Sequence, residues 1–122
     1  MARGTGVGGV FLRAADPARL HRWYADVLDL PVDGSDYGVM RSDSGETLTW
    51  ACFPADTEYF GSGKQAAMVN YRVDDLDAVL MRLREAGAAV DDHVEEHEYG
   101  RFGWALDPEG NRFELWQPPP GH

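Results

Sequence analysis

A segment of this chain occurs twice, and that repeat limits the folds open to it more than any other feature. Residues 10–16 read Val-Phe-Leu-Arg-Ala-Ala-Asp and residues 69–75 read Val-Asn-Tyr-Arg-Val-Asp-Asp. A shift of 59 pairs Val10 with Val69, Leu12 with Tyr71, Arg13 with Arg72 and Asp16 with Asp75. Each copy alternates as a strand does and then meets an aspartate suited to capping a helix.

The first helix is expected to begin after Asp16, with Pro17 at its first position, where a missing N–H costs nothing. Leu20, Trp23, Tyr24, Val27 and Leu28 follow the spacing of one buried helical face. The second helix is expected after Asp74 or Asp75, burying Leu76, Val79, Leu80 and Leu83 and stopping at Gly87. Leu30-Pro31-Val32 and Ala88-Ala89-Val90 would each begin the next strand. Turn chemistry at Asp43-Ser44-Gly45-Glu46 leads into Thr47–Phe53, and Asp107-Pro108-Glu109-Gly110-Asn111 leads into Arg112–Trp116. Each half is thus one strand, one helix and about three strands. The first module spans about residues 8–53, a connection 54–66, the second module 67–117, and an exposed tail 118–122.

With 122 residues the chain makes a single domain. Its 21 acidic residues against 11 basic ones give a net charge of −10, which repels phosphate backbones and argues against nucleic acid. No apolar run approaches a membrane span, and the N-terminus lacks the apolar centre of a secretory signal. One cysteine, Cys52, excludes an internal disulfide, so the chain reads as cytoplasmic.

Three short motifs invite chemistry and fail on context. Gly4-Thr-Gly6-Val-Gly8-Gly9 fits a dinucleotide-binding pattern but runs into a strand instead of a helix, so it is expected to be a flexible leader. His93-Val-Glu-Glu96-His97 fits an inverted zinc-peptidase pattern, yet nothing around it supports a helix. Gly61-Ser-Gly63-Lys64 is followed by Gln65, not by the hydroxyl of a phosphate loop. Cys52 lies in an apolar run with no histidine nearby in sequence, as a buried structural thiol would.

The paired units, Val73-Asp-Asp-Leu-Asp77 and Phe102-Gly-Trp-Ala-Leu-Asp-Pro-Glu-Gly-Asn-Arg-Phe-Glu-Leu-Trp116 together resemble the vicinal oxygen chelate superfamily. This is the group of glyoxalase I, bleomycin-resistance proteins, fosfomycin-resistance enzymes and extradiol dioxygenases. The resemblance covers about residues 8–117 and implies an α+β fold in which two βαβββ modules form a curled eight-stranded sheet around a cavity. It also implies a homodimer. Metal-using members carry ligands at positions that fall here on Gly9, Met68 and Glu114, with a fourth falling near Thr49. One carboxylate among four cannot build a zinc, manganese or iron site, so no metal and no other cofactor is expected.

Within that frame, strand alternation turns Val10, Leu12 and Ala14 toward the first helix and Gly9, Phe11 and Arg13 toward the cavity. Val69, Tyr71 and Val73 likewise face the second helix, leaving Met68, Asn70 and Arg72 inward. Arg112, Glu114 and Trp116 share one face, and the resemblance implies that Trp104 points into the cavity. The expected ligand site is Phe11, Arg13, Trp50, Met68, Asn70, Arg72, Trp104, Glu114 and Trp116. The plain alternative is that these side chains only fill the sheet's interior, although Asn70, Arg72 and Glu114 are odd choices for dry packing.

The resulting reading is a metal-independent protein binding a small aromatic or cationic compound, as a protein sequestering a toxin or antibiotic would. The rival is a glyoxalase-like lyase or isomerase using Glu114 as metal ligand or general base, with Arg13 or Arg72 opposite the developing anion. Nothing in the sequence favours a domain that serves assembly alone.

Overall fold

Asp16 and Asp75 play one role at equivalent points of the two halves. In this computed structural model, which describes residues 2–28, 30, 37–41, 47–62 and 64–121, their carboxylates accept the N–H groups of Arg19 at 3.1 Å and Ala78 at 3.2 Å. These caps open helices α1 (Pro17–Val27) and α2 (Leu76–Glu85). At the far end of α2, Gly87 takes φ +86°. Its N–H reaches the carbonyl of Arg84, and that of Ala88 reaches Leu83, each at 3.0 Å. This is the glycine-terminated stop foreseen from the sequence.

The strands are β1 (Gly4–Ala14), β2 (Tyr37–Arg41), β3 (Thr47–Pro54), β4 (Ala67–Val73), β5 (Glu95–His97), β6 (Gly100–Leu106) and β7 (Arg112–Gln117). They form one sheet in the order β2-β3-β1-β4-β7-β6-β5. β1 runs parallel to β3 and β4 parallel to β7, while β1 and β4 join the halves as an antiparallel pair. The described residues thus form seven strands, not the eight expected. Of the Leu30-Pro31-Val32 segment only Leu30 is among them, and the 43–46 turn lies outside them. In the second half, Val90 makes only a single bridge to Ala105 and the strand itself begins at Glu95.

The glycine-rich start is not a flexible leader. Residues from Gly4 onward belong to β1 and pair with β4, with register shifts between Gly4 and Gly6 and between Val7 and Gly9. Glycine is required where the chain presses on its neighbours. A Cβ on Gly8 would lie 2.4 Å from Asn70 Oδ1, and one on Gly9 would lie 2.8 Å from the Thr49 carbonyl.

Both helices cover one face of the sheet. α2 buries Leu76, Val79 and Leu80 against Val73 and Leu115. α1 is docked more lightly and has no buried residue. Leu20 and Tyr24 pack on Ala14, Trp50 and Cys52, whereas Trp23, Val27 and Leu28 of the expected stripe are exposed. The opposite face carries Phe11, Ala51, Met68 and Trp104, and it is filled by Phe60 from the connection between halves. Residues 54–66 are therefore more than a linker, since Phe60 is fully buried.

Candidate functional site

Cross-strand register sets five residues in one row across the face opposite the helices. Thr49 pairs with Gly9, Gly9 with Asn70, Asn70 with Glu114, and Glu114 with Trp104. Paired residues in a sheet point to the same side, so the row converges on Glu114. Its carboxylate is 1% exposed. Oε2 accepts the Tyr59 hydroxyl at 2.7 Å, and Oε1 accepts Asn70 Nδ2 at 3.1 Å.

Burial pushes the Glu114 carboxyl up, and the bonds from Tyr59 and Asn70 oppose that rise by favouring the anion. Burial also pushes the Tyr59 phenol up, and the nearby Glu114 charge adds to the effect, so Tyr59 stays a donor. Asn70 is itself buried, and its Oδ1 meets no donor.

Three guanidinium groups lie on aromatic rings of the same face. Arg13 sits 5.1 Å from the Phe60 centroid, Arg72 5.5 Å from Trp116 and Arg112 5.5 Å from Trp104. Arg112 also donates to the Tyr59 carbonyl at 3.2 Å and to Asp91 at 3.4 Å, which holds the Tyr59 segment in place. Phe53 stacks on Tyr59 with centroids 5.4 Å apart and planes 4° from parallel. A groove of about 340 Å³, lined by Phe60, Gly61, Asp91, Ala105 and Arg112, lies beside this cluster.

The structure gathers Phe11, Arg13, Met68, Asn70, Arg72, Trp104, Glu114 and Trp116 on this face and leaves Trp50 out. Trp50 faces the helices, 5.1 Å from the Tyr24 ring and 5.6 Å from His21. Thr49, its neighbour in β3, pairs with Gly9, and alternation puts adjacent residues on opposite faces. Tyr59, the closest partner of Glu114, escaped sequence reasoning. The available signal was two adjacent aromatics, Tyr59-Phe60, inside an otherwise polar connection.

The His93-to-His97 segment forms no zinc-peptidase helix. It lies at and before β5, where alternation brings His93 and His97 to Glu95, at 3.3 and 2.9 Å, and sends Glu96 to Arg101. The hydrogen bond from His97 is the first cause holding the Glu95 carboxyl below its ordinary range. His93 also stacks on Trp104, with centroids 6.0 Å apart.

A family model for the glyoxalase-like domain matches residues 9–116. The chain belongs to that family. With it comes the wider glyoxalase, bleomycin resistance and dioxygenase superfamily that the sequence resembles. This glyoxalase-like domain is similar to methylmalonyl-CoA epimerase from Mycobacterium tuberculosis, with a TM-score of 0.68 at 21% identity over 96% of this chain and 90% of that one. A Streptomyces coelicolor methylmalonyl-CoA epimerase variant in complex with 2-nitronate-propionyl-CoA gives 0.69 at 14% identity, over 95% and 99%. A superfamily member from Vibrio splendidus 12B01 gives 0.62 at 17%, over 96% and 99%. At these identities the likeness shows a shared fold. No curated protein matches the sequence.

The positions at which metal-using members of the superfamily are implied to hold their ion do not fit one here. Gly9 has no side chain, Met68 is a buried thioether, and Glu114 already accepts Tyr59 and Asn70. Among the described residues, no group of three His, Cys, Asp or Glu is arranged to hold a metal ion. No helix among them is long and apolar enough to cross a membrane.

Proposed function

We propose that this glyoxalase-like domain binds a small aromatic or cationic compound on the face around Glu114, without a resident metal, as a protein that sequesters a toxin or antibiotic would. One observation carries the reading: Glu114 is a buried carboxylate held by two neutral donors, with no ion pair to a cation among the described residues, inside an aromatic wall. Such a group is costly in a domain that needs only packing. The ligand's donor or cation takes the place of the Tyr59 hydroxyl, exchanging one short hydrogen bond for another. Phe11, Met68, Trp104 and Trp116 supply the apolar walls usual in small-ligand sites. The proposal includes the homodimer that the superfamily resemblance implies, to be read by light scattering.

The test is a tryptophan-fluorescence and calorimetric screen against aromatic amines and natural-product antibiotics, run beside metal analysis of the purified protein. Binding that Glu114→Gln weakens, with no metal in stoichiometric amount, is the expected result. One equivalent of zinc, nickel, manganese or iron sinks the metal-independent reading, and affinity indifferent to Glu114→Gln removes that residue from the site.

A second reading is proton transfer, favoured by the upward push on the Glu114 carboxyl, which brings a carboxylate toward the range useful for a general base. The similarity to methylmalonyl-CoA epimerases makes one substrate worth testing. Incubation with methylmalonyl-CoA in D₂O gives deuterium at the carbon between the carbonyls only if such chemistry occurs. Glu114→Gln must abolish any incorporation above the uncatalysed rate.

A further inference from the structure

Arg72 carries a buried nitrogen that no acceptor among the described residues uses. Arg101 bridges Asp77 and Glu96, and Arg112 meets Asp91. Arg72 makes no ion pair among the described residues, and its Nε is enclosed without a partner.

Its surroundings explain what it is free to do. The guanidinium is stacked over Trp116, so its face is occupied, while its enclosed Nε–H meets no acceptor among the described residues. The edge of a guanidinium fits the paired oxygens of a carboxylate or phosphate. The space beside it is open. Arg72 pairs with Gly6 across β1 and β4, so both point to one side of the sheet, and a Cβ on Gly6 would meet nothing within 4 Å. Asn70, which donates to Glu114, lies two residues back on the same face of β4, roughly 7 Å away at the strand rise.

We infer that the ligand bound at Glu114 also carries an oxyanion group, carboxylate or phosphate, that docks on the Arg72 edge in the open space over Gly6. This rests on the ligand-binding reading of the Glu114 face and adds the chemistry of the ligand's second end. The bound compound is a planar acid about one aromatic ring long, its donor on Glu114 and its acid on Arg72. The acidic surface of the domain does not oppose this, because the site is lined locally by arginine.

The probe is 4-hydroxybenzoate, compared with neutral 4-hydroxybenzamide and with phenyl phosphate, by calorimetry and by the Arg72 Nε–H resonance. That resonance is identified as the peak missing from Arg72→Gln. The acid is expected to bind about tenfold or more tightly than the amide, as a charge-assisted pair implies, and to shift the peak. Arg72→Gln erases the preference, and Arg72→Lys restores part of it by returning the charge without the fork. Tighter binding of phenyl phosphate assigns the natural ligand to phosphate esters, and tighter binding of 4-hydroxybenzoate assigns it to carboxylic acids. Equal binding of acid and amide, a preference that survives Arg72→Gln, or a resonance that neither acid moves would overturn the inference. A shifted resonance with affinity unchanged in Glu114→Gln sinks the role given to Glu114 and leaves that of Arg72 standing.

Discussion

Tyr59 donates its hydroxyl to Glu114 Oε2 across 2.7 Å, joining the connection between the modules to the central acid of the second. The bond favours the charged carboxylate, so Tyr59→Phe drives the Glu114 carboxyl further upward. Tyr59→Phe is expected to lose about 2 kcal/mol at neutral pH and less in acid, where the carboxyl is protonated in either protein. Urea unfolding at several pH values checks this, and a loss independent of pH would show that the hydroxyl does not act through the carboxylate.

Glu114 gives the second prediction. Its folded carboxyl is raised by burial, so the folded state holds its proton more tightly than the unfolded chain does. Its effect on stability is most favourable below the unfolded carboxyl range and worsens as pH rises from there through the raised folded value. Glu114→Gln has no such slope. Its stability relative to the wild type should therefore improve between mildly acid and neutral pH, and thermal unfolding across that range reads the difference.

The β1 glycines separate close packing from open space. Gly8→Ala forces a methyl group onto Asn70 and the Trp116 ring and should cost on the order of 1–3 kcal/mol. Gly6→Ala enters empty space and should change stability far less. Chemical denaturation of the two variants side by side decides it, and equal losses would refute the packing described at Gly8.

Phe60 closes the face beneath the connection and is fully buried with Phe11, Met68 and Trp104. Phe60→Ala should cost about 3–5 kcal/mol, as large-to-small changes in a packed core do. A surface-like loss below about 1 kcal/mol would mean that the connection does not dock there.

Trp50 belongs to the packing of α1 and not to the Glu114 face. Trp50→Phe should lower the melting temperature while leaving the affinity of any ligand found at Glu114 unchanged. A parallel loss of affinity in calorimetry would return Trp50 to the site.

Much of the fold is legible in local chemistry. The Asp16 and Asp75 caps, the Gly87 stop and the Asp107–Asn111 turn each depend on residues within about one turn of one another. In that turn the Asp107 carboxylate accepts the N–H groups of Glu109 and Asn111 at 2.9 Å, and Gly110 takes φ +84°. Alternation then places Phe11, Met68, Asn70, Arg72 and Glu114 on one face, because a strand sends every second side chain to the same side. Trp50 escaped this logic because one step along β3 exchanges the faces.

The sequence by itself determined the two related halves, their helix ends and the parity of β1, β4 and β7, all consequences of short-range backbone and capping physics. Only the tertiary structure decided that Gly4–Gly9 is strand, that α1 leaves Trp23, Val27 and Leu28 exposed, and that Tyr59 reaches Glu114. Those outcomes depend on which surfaces meet once the sheet closes. A glycine run gains order only from the strand beside it, and a phenol becomes the partner of a buried acid only where long-range packing brings the two together.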